Sequence, residues 1–114
     1  MYLYINIRGD SKYSVKAPVS LISSVLNSRS ELSQGDNEGN TYVNSSKFSW
    51  LLVSIINCDS RGCYPANLSQ DSKTANLVEF TCYDKGDDKS KMQYMELAKC
   101  IAEELKWEAV DVSF

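Results

Sequence analysis

The chain has 114 residues, is 43% apolar, and carries twelve basic against fifteen acidic side chains for a net charge of −3. That length suits one domain spanning 1–114, able to bury about two-thirds of the surface its unfolded chain exposes. The acidic balance argues against a nucleic-acid backbone or an anionic membrane as main partner, and the absence of histidine excludes Ser-His-Asp and Cys-His nucleophile systems and His-ligated metal sites.

Tyr2 to Arg8 alternates, with Leu3, Ile5 and Ile7 on one side and Tyr2, Tyr4, Asn6 and Arg8 on the other, the pattern of a half-buried strand. The same stretch lacks the basic n-region and continuous apolar run of a secretory signal. A cytoplasmic location and four free thiols are therefore expected; an oxidising compartment would let Cys58 and Cys63 close a small loop. Gly9-Asp10-Ser11 reads as a turn, after which Tyr13, Val15 and Ala17 alternate again as a short hairpin partner. Pro18 fits the first turn of a helix, whose core stripe is Leu21, Ile22, Val25 and Leu26. Residues 33–46 read as a long polar connection carrying Asp36 and Glu38.

Phe48 to Asn57 is the longest apolar run, too short to span a bilayer and rich in strand-forming residues. Leu51, Val53 and Ile55 point one way; Phe48, Trp50, Leu52 and Ile56 point the other. Both faces are apolar, so the strand is expected to be covered on both. A second long connection, 58–73, follows. Thr74 to Tyr83 is a strand with Val78, Phe80 and Cys82 inward. Ser90 and Gln93 form a capping-box pair near Asp87 and Asp88. Tyr94, Leu97, Ala98, Ile101, Ala102 and Leu105 then make the apolar face of a helix running to Lys106. Trp107 to Phe114 closes as a strand, with Val110, Val112 and Phe114 on one face.

The predicted fold class is α+β: a mostly antiparallel sheet of four to five strands with two helices packed on one face. A ferredoxin-like βαββαβ plan is the nearest common topology. In that plan the second main strand lies at an edge, whereas here it is the most apolar element. Either the strand order differs or the long loops fold over its outer face.

No motif for catalysis, cofactor or metal binding is present. The cysteines form no CxxC pair, and the five glycines stand apart rather than in a phosphate-binding loop. The chain is expected not to be an enzyme. Two alternatives remain open. One is a small thiol-dependent enzyme or redox sensor using Cys58 and Cys63, which flank Arg61. The other is an RNA-binding module, because Tyr2, Tyr4, Trp50, Leu52, Glu79 and Tyr83 share one sheet face if their strands are adjacent.

Two helices on a sheet, long acidic loops, and the ending Ala98-Lys-Cys-Ile-Ala-Glu-Glu-Leu-Lys-Trp-Glu-Ala-Val-Asp-Val112 together give a chain that resembles the small acidic immunity proteins of bacterial polymorphic and contact-dependent toxin systems. The resemblance implies a cytoplasmic inhibitor bound to a cognate protein toxin, often a nuclease whose basic site an acidic surface fits, with no nucleic-acid or membrane partner. Loops on a rigid scaffold carry recognition more often than core elements. On that ground Asp59, Arg61, Tyr64 and Asp71 of the 58–73 connection are the first candidates for partner binding, with Glu79 and Asp36 behind them.

Overall fold

The computed structural model describes residues 2–35, 41–46, 48–61, 73–83, 86 and 88–112. In chain order its elements are β1 (Tyr2–Arg8), β2 (Ala17–Pro18), α1 (Val19–Asn27), β3 (Leu32–Gln34), β4 (Thr41–Asn44), β5 (Leu51–Ile56), β6 (Thr74–Ala75), β7 (Leu77–Tyr83), α2 (Asp88–Leu105) and β8 (Glu108–Asp111). Six strands form one sheet in the order β3-β4-β5-β7-β1-β8, and β2 pairs with β6 in a separate two-stranded ladder. Every pairing is antiparallel. The fold is α+β, with one strand more in the main sheet than the sequence suggests.

Without its β3–β4 hairpin the sheet runs β5-β7-β1-β8, the strand order of a ferredoxin-like split βαβ pair. The hairpin resolves the conflict over the apolar strand. It pairs along β5 and moves that strand from the edge into the interior. Much of the polar 33–46 connection is thus sheet. Leu32 and Tyr42 are its buried anchors.

One face of the sheet holds the core. Ile5 and Ile7 of β1, Leu51, Val53 and Ile55 of β5, and Val78, Phe80 and Cys82 of β7 meet Ile22, Val25 and Leu26 of α1 and the predicted apolar face of α2. Leu21 is exposed, one position outside the α1 stripe. Phe48 precedes its strand and so escapes the alternation; its ring meets Tyr94 edge-on at 5.8 Å, beside the core. In β8 it is Ala109, opposite Ile7, that packs on the core, while Val110 lies opposite Asn6 on the other face.

Three local expectations change. Residues 13–17 make no hairpin with β1; β7 and β8 take both its edges. Instead Asp10 accepts the backbone N–H groups of Lys12 and Ser14, each at 3.0 Å, and the Ser14 hydroxyl. The Ser14 bonds hold the Asp10 carboxyl below its usual range. The chain folds back so tightly that a Cβ on Gly9 would run into the Val15 side chain. Helix α2 begins at Asp88, so Ser90 is buried inside it and is not its cap. Its other end is a Schellman motif without glycine: Lys106 takes φ 60°, its N–H donates to Glu103, and the Trp107 N–H donates to Ala102 at 2.8 Å. Among the described residues no helix is long and apolar enough to cross a membrane.

Candidate functional site

Among the described residues, none forms a layer over most of the second face of the sheet. Cross-strand registers arrange it in rungs. Val43, Leu52, Thr81 and Tyr4 lie side by side across β4, β5, β7 and β1. The next rung carries Thr41, Ser54, Glu79, Asn6 and Val110. Among the described residues, the cover expected over this second face of β5 is found at Ile56. There Tyr13 from the 9–17 loop packs on Ile56 and Leu77.

Tyr13 has a positive φ of 56° and is itself buried. Asn6 Nδ2 and Arg8 Nη1 each donate to its hydroxyl at 3.0 Å, and the Arg8 guanidinium lies 5.2 Å from its ring centroid. Arg8 also faces Glu108 across the β1–β8 pair, at 3.8 Å. The buried Asn76 carboxamide fixes this end from beneath. Its Nδ2 donates to the carbonyls of Tyr13 and Cys58 at 3.0 and 2.8 Å, and its Oδ1 accepts the Cys58 N–H at 2.9 Å.

The opposite end of the face is open and aromatic. Tyr2 pairs with Tyr83 across β1 and β7, and Trp50 enters β5 beside them. The Tyr2 ring lies 5.8 Å from Trp50 at a 48° tilt and 6.2 Å from Tyr83 nearly edge-on. Tyr2, Trp50, Tyr83 and Tyr4 are 52, 46, 44 and 37% exposed, and Val43 is exposed next to them. The Trp50 backbone is anchored from below, because its carbonyl accepts the Tyr94 hydroxyl of α2 at 2.6 Å. Asn44 clamps the preceding turn by donating to the carbonyls of Ser45 and Phe48 and accepting the Leu51 N–H. The exposed rings therefore stand on a fixed backbone.

The six candidate residues from the sequence fare differently. Asp36, Tyr64 and Asp71 lie outside the described residues. Asp59 and Arg61 follow the far end of β5, and they engage each other. Asp59 Oδ1 accepts the Arg61 N–H at 2.8 Å, and the guanidinium lies 3.4 Å from Oδ2. Glu79 is half-buried in the middle of the open face, one rung beyond Tyr4 and Thr81. Of the three candidates among the described residues, Glu79 is the one on the aromatic face. Trp50 and Tyr83 belong to this surface and are not among the six candidates; strand alternation places them on the shared face of the RNA-binding alternative.

The thiols have distinct surroundings. The Cys58 Sγ lies 3.5 Å from Asn76 Oδ1, to which the thiol donates. Cys63 lies outside the described residues. Burial, followed by the nearby Asp111 carboxylate, pushes the Cys82 thiol up to about 12. Cys100 is exposed beside Arg29, Glu103 and Glu104, which line an open cleft of about 320 Å³. Arg29 is paired with Glu31 at 3.2 Å, which holds its guanidinium charged. Among the described residues, no group of three acidic, cysteine or histidine side chains is placed to hold a metal ion.

Comparison with protein-family models and with curated proteins finds no match to this chain.

Proposed function

We propose that the chain is a binding module that neutralises a cognate protein toxin, as the small acidic immunity proteins it resembles do, and that it acts in the cytoplasm without catalysing a reaction. One observation carries the reading: the exposed rings of Tyr2, Trp50 and Tyr83 cluster at one end of a sheet face over most of which none of the described residues forms a layer. Tyr and Trp are the residues enriched in interface cores and in binding hot spots. Contiguous exposed apolar surface on a small protein marks an interaction site. A partner seated there would cover the exposed rings of Tyr2, Tyr4, Trp50 and Tyr83.

The RNA-binding alternative has its own observation in favour, since Tyr2 and Tyr4 on β1 and Tyr83 on β7 occupy adjacent central strands. RNA-recognition sheets stack bases on such aromatics. Two features count against it. The rings turn partly toward one another rather than presenting free faces, and Glu79 sits on the face that would meet phosphates. The thiol alternative has less support, since Arg61 is engaged with Asp59 and the Cys58 thiol with Asn76.

The test is co-expression with the C-terminal domain encoded by the adjacent upstream reading frame. The expected outcome is rescue of growth and co-purification of the two proteins, with both weakened by Trp50→Ala. A neighbouring domain that is not toxic, or a toxicity this chain leaves unchanged, would sink the proposal.

A further inference from the structure

Trp50 stands just outside the paired registers of β5, which begin at Leu51 toward β7 and at Leu52 toward β4. Its ring lies 5.8 Å from that of Tyr2, and Tyr2 lies 6.2 Å from Tyr83. One peptide plane carries this arrangement. The Trp50 carbonyl and the Leu51 N–H are opposite ends of the same rigid unit. Tyr94 of α2 donates its hydroxyl to the carbonyl at 2.6 Å, and Asn44 Oδ1 of β4 accepts the N–H at 3.2 Å. Both bonds come from side chains, one in the helix layer and one in the sheet. Those side chains are themselves held. Tyr94 is fully buried with its ring edge-on to Phe48 at 5.8 Å. Asn44 Nδ2 donates to the Ser45 and Phe48 carbonyls at 3.1 and 3.2 Å. The ψ angle of Trp50 relates its Cα–Cβ bond to the 50–51 plane, so the plane sets the direction of the ring.

We infer that Tyr94 and Asn44 form a clamp on the 50–51 peptide through which the helix layer sets the order of the aromatic cluster. Tyr94 is a positioning residue: fully buried, it acts on a partner only through Trp50. The two bonds share one plane and support each other, so releasing either end loosens the other. Resting on the binding-module reading, the clamp regulates that same site, because a ring fixed in advance spares a partner the cost of immobilising it. Coupling is reciprocal, and a partner seated on Trp50 tightens the Tyr94 bond in turn. If the bond only satisfied a buried phenol, its loss would lower stability and leave the rings where they are.

The test is NMR on the full chain for Tyr94→Phe and Asn44→Ala, with Tyr42→Phe as control. Tyr42 is buried as deeply as Tyr94, and its hydroxyl also donates to a backbone carbonyl, that of Ser23 in α1 at 3.4 Å. Tyr94→Phe removes one oxygen and keeps the ring against Phe48. It should speed hydrogen exchange of the Leu51 amide, a bond it does not touch, about tenfold. It should also lower the Trp50 amide order parameter from about 0.85 to below about 0.6 and weaken the Tyr2–Trp50 inter-ring NOE. Asn44→Ala should weaken the same NOE from the other end of the plane, and Tyr42→Phe should leave all three readouts as in the native chain. The remaining amide spectrum of each variant confirms its fold. Native exchange at Leu51 with an unchanged inter-ring NOE in Tyr94→Phe would overturn the inference, as would equal changes in Tyr42→Phe. With the cognate toxin domain, Tyr94→Phe should speed dissociation about fivefold, and an unchanged rate would overturn it too. A neighbouring domain that the native chain does not bind would sink the proposed function alone, since the spectra decide the clamp without a partner.

Discussion

The carboxamide of Asn76 makes four hydrogen bonds, two given and two received, and joins the 9–17 loop to the segment leaving β5. No hydrophobic pattern announces it, because its value lies in backbone groups that the fold would otherwise leave unpaired. Asn76→Ala orphans the Tyr13 and Cys58 carbonyls and the Cys58 N–H, and should cost roughly 2–3 kcal/mol. Asn76→Asp keeps the size and the acceptor but loses both donors, so it should not rescue. Urea unfolding midpoints decide, and a loss below about 0.5 kcal/mol, usual for an unimportant surface change, would mean that water replaces the amide. Cys82 gives a prediction in pH. Its thiol is held neutral up to about 12 in the folded chain, mainly by burial and then by Asp111, against a reference value of 9.0. The unfolded chain therefore releases this proton first, so the stability contribution is complete below pH 9 and is lost progressively between 9 and 12. Each unit in that window removes up to about 1.4 kcal/mol. Unfolding curves from pH 8 to 11 for the native chain and Cys82→Ala should converge as pH rises. Parallel curves would show that Cys82 has no part in the alkaline loss.

Among the elements, those whose side chains alternate or recur with one clean period are legible: β1 and the apolar face of α2 stand where the pattern puts them, β5 is the inner part of the 48–57 run, and the strand expected over Thr74–Tyr83 is divided at Asn76 into β6, which pairs with β2, and β7. Elements that exist only through their neighbours are not. β3 and β4 are three and four residues long, with Leu32 and Tyr42 as their buried apolar residues, and they become strands by pairing on β5. The opposite error occurs at Tyr13, Val15 and Ala17. There the alternation is real, but Asp10 turns the backbone and both edges of β1 are already taken. The shared face of Tyr2, Tyr4, Trp50, Leu52, Glu79 and Tyr83 followed from period two alone. The burial of its Ile56 end beneath Tyr13 did not, since that depends on where the 9–17 loop passes. The end of α2 was misplaced by one residue because its left-handed position is Lys106 and not glycine. A non-glycine residue in that region costs about 1–2 kcal/mol, and glycine returns part of the gain as chain entropy. Lys106→Gly should accordingly raise stability by about 0.5 kcal/mol in urea unfolding. A loss instead would show that the lysine side chain contributes more at this position than its backbone strain costs.

The two sides of the molecule differ in what they offer a partner. On α2 the outward residues Lys89, Lys91, Lys99, Glu103 and Glu104 mix both signs of charge, an ordinary solvated surface. The open sheet face offers fixed aromatic rings, with Tyr94 and Asn44 holding the backbone beneath Trp50. Asp59 and Arg61 stand past the other end of β5, so a standard interface of about 800 Å² per partner centred on the face would place Trp50 in its desolvated interior and Asp59 at its rim. Hot spots concentrate at the centre of an interface, where water is excluded, while rim charges act mainly on the rate of encounter. Asp59 also begins from a pair with Arg61, so it has less to gain from a cation of the partner than an isolated carboxylate would. With the cognate toxin domain, Trp50→Ala should therefore cost about 2 kcal/mol or more, seen as faster dissociation. Asp59→Ala should cost less than about 0.5 kcal/mol and appear as a slower association that salt abolishes. Surface-plasmon kinetics at low and physiological salt separate the two. The opposite ranking, with Asp59 dominant and Trp50 silent, would move the interface off the sheet and onto the 58–73 connection.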